Sequence, residues 1–308
     1  MIRAATGVGI PMPDQEVWSA LAATRVEIRP DCPLGPQTTI RLGGVATALA
    51  RPRNLDELVR VLKAANELGI EVRFLGAGSN LVVVTDRVPS LVIHTKRLDW
   101  IVREDGGVRC GGGANLVSTI RRTVKWGLAG LEGLAGIPAT VGGAVAMNAG
   151  GKYAEIAEFV RSVTLLSLDG TARDVPGDAL GFRYRGADLG GAIVAEVRLA
   201  LAEGVPYRLR KRFRSILAEK AASQPLSEWT AGCVFKNPGC ESAGRLIDRA
   251  GLKGSSVGGA AVSQVHANFI VNTGQGKAQD FVALAGKVQA TVASRFGVEL
   301  EPEVVIWS

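Results

Sequence analysis

Apolar positions recur along the chain at two alternating spacings, which divide it into helix and strand segments. Asn54 suits an N-cap, with Glu57 at the third helical position. Behind it, Leu55, Leu58, Val59, Leu62 and Leu68 repeat at helical spacing up to Gly69, which predicts a helix over 55–68. Before it, QTTIRLGG at 37–44 alternates like a strand and ends in a glycine turn. After it come the β-rich runs VRFL (72–75), LVVV (81–84) and LVI (91–93), giving a helix within a small mixed sheet. From about Leu98 a second α+β unit follows. It has a strand at Gly107–Gly111, a helix capped by Asn115 that carries Leu116, Ile120 and Val124 up to Gly127, and strands at 160–168 and 192–200 around the turn Asp169-Gly170. A third unit from about Ser227 contains a short helix at 243–250, strands near 261 and 267–272, and a helix with Phe281, Leu284, Val288 and Val292 that stops at Gly297. The chain closes on VELEPEVVIW, read as a strand.

Between the second helix and the later strands the pattern breaks down. Eight of the 25 residues from Gly127 to Gly151 are glycine, and no charged side chain follows Glu132 within that stretch. So much glycine opposes a stable helix and suits backbone in close contact. Two readings stand: a main-chain nest for phosphate oxygens, or tight turns where buried strands cross. GAGSN at 76–80 also sits where a strand ends. Its third glycine position is Leu81 and no helix pattern follows, so it is not the dinucleotide fingerprint; nor is there a GxxxxGK[ST] loop. Two glycine-rich loops could still grip one diphosphate through backbone amides.

The 308 residues (32.2 kDa), 47% hydrophobic and 21% charged, describe a folded globular chain of about two domains. A net charge of +7 and a pI near 9.5 favour an anionic partner without choosing among nucleic acid, membrane surface and phosphorylated small molecule. The N-terminal MIRAATGVGIPMPDQ has no continuous apolar core, and no apolar span is long enough for a bilayer. A cytoplasmic protein without membrane insertion is expected. Cys32, Cys110, Cys233 and Cys240 form no CxxC pair and only His94 and His266 accompany them, so free thiols and no metal are expected. Arg208, Arg210, Lys211, Arg212 and Arg214 crowd the start of a helix in YRLRKRFRSILAEKAASQP. Few aromatics interleave, which favours a solvated helix face or contact with an anionic cofactor over nucleic acid.

Three polar sites stand in apolar settings: Arg185 in GFRYRG, Cys233 with Lys236 in AGCVFKNP, and Glu303 in ELEPEVVIW. Singly, each has an ordinary structural account: a surface Arg–Tyr pair, a small buried thiol, a solvated acid. Together with TTIRLGG, LGAGSNL, GLEGLAGIPATVGGAVAMNAG, FRYR, SQPLSEWTAGCVFKNP, AGLKG, HANFIVN and LEPEV, in that order over residues 38–305, they make the chain resemble the UDP-N-acetylenolpyruvoylglucosamine reductase family, in its shorter form. The resemblance implies an α+β fold: a two-lobed FAD-binding domain of the vanillyl-alcohol-oxidase (PCMH) type plus a C-terminal substrate-binding domain. The corresponding boundaries are an N-terminal arm (1–36), FAD lobes at 37–97 and 98–205, a linker helix at 206–226, a substrate domain at 227–300 and a terminal strand at 301–308. It also implies FAD as cofactor, NADPH as hydride donor, UDP-N-acetylglucosamine enolpyruvate as substrate, no nucleic-acid partner, and a monomer.

Residue by residue, the resemblance places FAD contacts at Gly76, Ala77, Gly78, Ser79, Asn80 and Leu81, and at Ile137, Pro138, Ala139, Thr140, Gly142, Gly143, Ala144 and Val145. Lys236, Asn237, His266 and Tyr153 fall at substrate positions, Tyr153 in a motif, GGKYAE, shifted from the family pattern. His266 reads equally well as a satisfied strand histidine. Reducing an enol ether conjugated to a carboxylate takes a hydride at the terminal carbon and a proton at the carbon bearing the carboxylate, through enolate charge on the carboxyl oxygens. Arg185 would stabilise that charge, Glu303 would hydrogen bond to the same carboxyl group, and Cys233 would give the proton. Cys233 stands where the family most often has serine; a thiol with an ordinary pKa of about 8.5 is mostly protonated at neutral pH and suits the role. Ala139 replaces a commoner glycine, which predicts negative φ there. The alternatives are a small-alcohol or sugar oxidase of the same fold, or a basic nucleotide-sugar or RNA-binding protein using Arg208 to Arg214.

Overall fold

The computed structural model describes residues 15–239 and 241–308. Residues 1–14 of the expected arm, and the thiol expected at Cys240, lie outside them. The chain forms two compact units. Of the described residues, the first comprises 15–32, Ala46–Ala77 and Pro89–Ala218; the second comprises Pro33–Val45, Gly78–Val88 and those of Glu219–Ser308.

In chain order, α1 (Gln15–Ala23) and β1 (Ile28–Pro33) precede β2 (Val45–Ala50), α2 (Leu55–Glu67), β3 (Val72–Leu75), β4 (Leu81–Val83) and β5 (Arg87–His94). The segment 37–44 is not a strand. Thr38, Ile40 and Leu42 do point inward as the alternation implies, but Arg41 at φ 60° and Gly43 at φ 149° bend the backbone out of extension. The Thr38 hydroxyl donates instead to Gly35 O and Leu42 O. α2 forms as its caps dictate. Asn54 Oδ1 accepts from Glu57 N at 2.9 Å, Gly69 follows at φ 65°, and Leu58, Val61 and Leu62 are fully buried. Each such side chain contributes about 1.5–3 kcal/mol of burial.

Next come β6 (Ile101–Glu104), β7 (Gly107–Gly111), α3 (Leu116–Trp126), β8 (Leu128–Ala129), α4 (Val141–Ala146), β9 (Gly150–Gly151), β10 (Ala154–Glu155), β11 (Val160–Leu166), β12 (Ala172–Pro176), β13 (Ile193–Ala200), β14 (Ala202–Glu203) and α5 (Pro206–Ser223). The turn at Asp169-Gly170 joins β11 to β12, a strand that the apolar pattern misses because its side chains are mostly exposed. The first unit holds the four-stranded sheet β1-β2-β5-β3, the five-stranded sheet β12-β11-β13-β7-β6 and the two-stranded pairs β10-β9 and β14-β8. Leu58 and Leu62 of α2 share one apolar cluster with Ala48, Leu91 and Ile93 of the four-stranded sheet, and Ile120 of α3, Val145 of α4 and Phe213 of α5 share another with Val108, Val163 and Val197 of the five-stranded sheet.

The second unit holds β15 (Trp229–Cys233), α6 (Ala243–Arg249), β16 (Ser256–Val257), β17 (Ala260–Val262), β18 (Phe269–Asn272), α7 (Ala278–Phe296) and β19 (Val305–Trp307). Its sheet runs β15-β18-β17-β16, with Phe281, Leu284, Val288 and Val292 of α7 buried in its core. The last three residues of the expected terminal strand pair with β4, in parallel register Val305↔Leu81, while Pro302, before them, forms an isolated bridge with Phe235. LVVV thus belongs to a sheet with the C-terminus rather than to the sheet around α2.

Candidate active site

β3 ends at Leu75 and delivers the chain into Gly76–Asn80, a loop whose carbonyls and amides are used very differently. Gly76 O accepts from the buried His94 Nε2 at 3.1 Å, Gly78 O from Thr39 N at 3.0 Å, and Asn80 O from Val305 N at 2.9 Å. A carbonyl only accepts, so Nε2 of His94 carries the hydrogen. Burial, aided by the nearby Arg51 charge, pushes the His94 pKa down to about 4, which keeps the ring neutral. By contrast, the backbone amides of Ala77, Gly78, Ser79 and Asn80 donate to no group among the described residues. Gly78 is buried, at φ 64°, and a Cβ there would lie 2.3 Å from Gln37 O. Four consecutive N–H groups without partners among the described residues, beside a left-handed glycine, have the chemistry of an anion receptor.

The glycine-rich stretch 127–151 differs from its sequence reading in one respect: it contains a helix. Thr140 caps α4 by accepting from Gly143 N at 3.1 Å, and the buried Val141, Ala144 and Val145 pack it into the core, so tertiary contact overrides the low propensity of its glycines. The amides of Val141 and Gly142 donate to Ala114 O and Gly112 O, both at 2.8 Å, and that of Ala144 to Thr140 O. A Cβ on Gly142 would come within 2.8 Å of Gly112 O. Here glycine serves close backbone packing, and the unsatisfied amides lie in the GAGSN loop. Ala139 is not among the residues at positive φ, as its side chain requires.

Arg185 sits in a two-residue turn closed by Arg183 N to Gly186 O at 3.0 Å and Gly186 N to Arg183 O at 3.1 Å. It has φ 58°, and its guanidinium lies 4.8 Å from the Tyr184 ring centroid. Asn148, 3% exposed and itself at φ 40°, anchors this turn. Its Nδ2 donates to Arg183 O at 3.2 Å and to Glu155 Oε2 at 3.0 Å, while Oδ1 accepts from Ala157 N. Two left-handed non-glycine residues held in one network mark a backbone over-determined by its surroundings. Tyr153, also in the first unit, lines a cleft of about 390 Å3 with Arg208, Lys211, Arg212 and Ser215, which share one face of α5. Arg212 pairs at 3.2 Å with Glu132, which is 1% exposed and also accepts from Gly130 N at 2.7 Å. Part of the basic cluster therefore balances a buried acid that the sequence pattern left unremarked.

Cys233, Lys236, Asn237, His266 and Glu303 all belong to the second unit, and the first, second and last lie on two paired segments. Glu303 N donates to Val234 O at 2.8 Å, Lys236 N to Glu301 O at 2.8 Å, and Phe235 bridges Pro302. Lys236 Nζ forms an ion pair with Glu301. Asn80 of the GAGSN loop holds the same segment, its Nδ2 donating to Glu303 O at 3.2 Å. β15 reaches Cys233 through a bulge in which Ala231 and Gly232, the latter at φ 83°, stand opposite Ile270; this turns Cys233 relative to the rest of the strand. Asn237 Oδ1 accepts from Ala243 N at the start of α6. His266 Nδ1 accepts from Asn268 N at 3.2 Å, so any ring hydrogen of the neutral form is on Nε2; burial, then the Lys253 charge, lowers its pKa. Cys32, Cys110 and Cys233 are thiols, and burial pushes Cys110 up to about 12, leaving it inert. No cluster of metal-ligating side chains occurs among the described residues.

Comparison with known proteins adds independent evidence. Residues 46–176 match the family model of an FAD-binding domain, and residues 224–307 match that of the UDP-N-acetylenolpyruvoylglucosamine reductase C-terminal domain. UDP-N-acetylenolpyruvoylglucosamine reductase 2 of Symbiobacterium thermophilum is 44% identical over 278 residues, covering 89% of this chain and 90% of that protein. The chain belongs to the UDP-N-acetylenolpyruvoylglucosamine reductase family. The relative from Moorella thermoacetica is 40% identical, covering 92% of this chain and 94% of its own. The crystal structure of the Thermus caldophilus reductase matches with a TM-score of 0.79 and 39% identity, over 92% of this chain and 99% of that one. Berberine bridge enzyme of Eschscholzia californica, at 16% identity and a TM-score of 0.51 over 62% of this chain and 44% of its own, shares the fold. The reductase-family chain is thus an FAD-containing oxidoreductase with the two-lobed FAD fold and a separate C-terminal α+β domain, as its motifs imply. The GAGSN loop fits the cofactor's diphosphate: four amides without partners among the described residues, beside a glycine whose Cβ would meet Gln37 O.

Proposed function

We propose that the chain catalyses the NADPH-dependent, FAD-mediated reduction of UDP-N-acetylglucosamine enolpyruvate to UDP-N-acetylmuramate, a step in peptidoglycan precursor synthesis. Family membership across nearly the whole chain makes this the expected reaction. The structural observation that carries it is the pairing of the Cys233 and Glu303 segments, with Glu303 N bonded to Val234 O. Residues 77–80 and 137–145 would hold FAD, which when bound would supply the hydride chemistry that links NADPH to the substrate's terminal carbon.

The residues of this chain manage the charge and the proton. As hydride arrives, negative charge grows on the substrate carboxyl oxygens. The Arg185 guanidinium, on a turn fixed by Asn148, would meet that charge with paired N–H donors. Glu303 orients the same carboxyl group by hydrogen bonding. The Cys233 thiol gives its proton to the carbon bearing the carboxylate, and solvent restores it. Lys236, Asn237, His266 and Tyr153 bind the nucleotide-sugar, His266 as an Nε2–H donor. The enzyme acts as a cytoplasmic monomer and serves the wall growth on which cell shape and division depend. Among the described residues no helix is long and apolar enough to cross a membrane.

Substrate-dependent NADPH oxidation with UDP-N-acetylmuramate as the product identified by mass spectrometry tests this assignment. Rapid oxygen consumption with a small alcohol or sugar, and none of that product, would move the chain to the oxidases of the same fold.

A further inference from the structure

The ladder between β15 and β18 stops at Cys233↔Phe269, because the chain preceding Phe269 turns away through Ala267 and His266. Phe235, 1% exposed, lies beyond that end, and its N–H and C=O would be buried without strand partners. The side chain of Asn268 takes the place of the missing strand peptide. Oδ1 accepts from Phe235 N at 3.0 Å and Nδ2 donates to Phe235 O at 2.8 Å, while the main-chain oxygen of Asn268 accepts from Val234 N at 2.9 Å. Asn268 is itself 3% exposed. Three bonds from one residue thus fix Val234 and Phe235 on one side. On the other side, Val234 O and the Phe235–Pro302 bridge fix the Glu303 segment. Cys233 directly precedes this clamp and Lys236 directly follows it.

We infer that Asn268 is a positioning residue for protonation: its amide acts as a surrogate strand that sets the aim of Cys233 and its register against Glu303. The inference rests on the reading of Cys233 as proton donor, so the tests separate the two. A carboxamide is the one short side chain that matches both groups of a peptide at once. Asn268→Ala removes both bonds. Asn268→Asp keeps an acceptor for Phe235 N but loses the donor to Phe235 O until the carboxyl is protonated. Asn272, on the same strand, supplies a matched control: its side chain also makes buried bonds, to Ile40 O and from Gly274 N and Gly276 N, but none to the Cys233 segment.

Stopped-flow of the holoenzyme should show Asn268→Ala reduced by NADPH within about twofold of wild type but reoxidised by UDP-N-acetylglucosamine enolpyruvate at least tenfold more slowly. Asn268→Asp should recover reoxidation as the pH falls, and Asn272→Ala should leave both steps near wild type. Independently of turnover, Cys233 alkylation by iodoacetamide, followed by peptide mass spectrometry, should be at least threefold faster in Asn268→Ala than in wild type, because the clamp no longer holds the thiol. Equal alkylation rates, or equal slowing of both half-reactions in Asn268→Ala, would overturn the inference. If Asn268→Ala does not fold, the pH response of Asn268→Asp decides in the same sense. Cys233→Ala with wild-type reoxidation would sink the donor reading alone, and the alkylation rate would still decide whether Asn268 positions the thiol.

Discussion

Acidification provides a quantitative test of how His94 supports the cofactor loop. Its pKa falls from the ordinary 6.5 to about 4 because burial penalises the charged ring and Arg51 lies nearby, while the bond to Gly76 O opposes the shift only in part. The folded value lies below the unfolded one, so the unfolded chain takes up the proton first. The stability that neutral His94 supplies is complete above about pH 6.5 and is lost as the pH falls towards 4. Each pKa unit corresponds to about 1.4 kcal/mol, so the full effect approaches about 3 kcal/mol, of which about 2 kcal/mol falls between pH 7 and pH 5. His266 is shifted in the same direction, so the measurement must be a difference. Urea unfolding of wild type and of His94→Gln, whose amide also offers an N–H to Gly76 O, should be compared at pH 7 and pH 5. Wild type should lose about 2 kcal/mol more than the variant over that interval. Identical pH dependence in the two proteins would refute the assignment of His94 as a buried neutral donor.

Other consequences are as direct. Gly78→Ala forces a side chain into a left-handed site with Gln37 O at 2.3 Å, so the variant should purify largely without flavin, as judged by visible absorbance. Arg212→Ala leaves the buried Glu132 carboxylate with only Gly130 N, costing about 1–3 kcal/mol in thermal unfolding; pairing it with Glu132→Gln should recover most of that loss. Arg185→Ala and Glu303→Ala should each lower turnover by orders of magnitude with FAD still bound and reduction by NADPH intact, measured by stopped-flow; near-normal rates would remove both from the site.

Where the physics was local, the sequence was readable. Asn54 and Asn115 cap α2 and α3 as expected, and Gly69, Gly127 and Gly297 end their helices at positive φ, because a cap is decided within four residues. Alternation in 37–44 correctly marked Thr38, Ile40 and Leu42 as inward, but a burial pattern does not say what the backbone pairs with; Arg41 and Gly43 bend it into a loop. The β4–β19 pairing joins residues more than two hundred positions apart and leaves no local trace. Glycine content drew attention to 127–151, yet most amides of α4's first turn are consumed internally, whereas those of residues 77–80 are not. That distinction depends on hydrogen-bond partners supplied by Gly112 and Ala114, which composition does not reveal. The buried asparagines at 148 and 268 escaped notice for a related reason: each serves backbone groups that the fold, not the neighbouring sequence, would leave unpaired.

Anaerobic visible spectroscopy of the purified protein tests the central claim most directly. NADPH should bleach the flavin band, and UDP-N-acetylglucosamine enolpyruvate should then restore it, each stoichiometrically. A band that bleaches but does not return on adding the enolpyruvate would contradict the proposed substrate, and the absence of a flavin band after FAD is supplied would contradict the cofactor site itself.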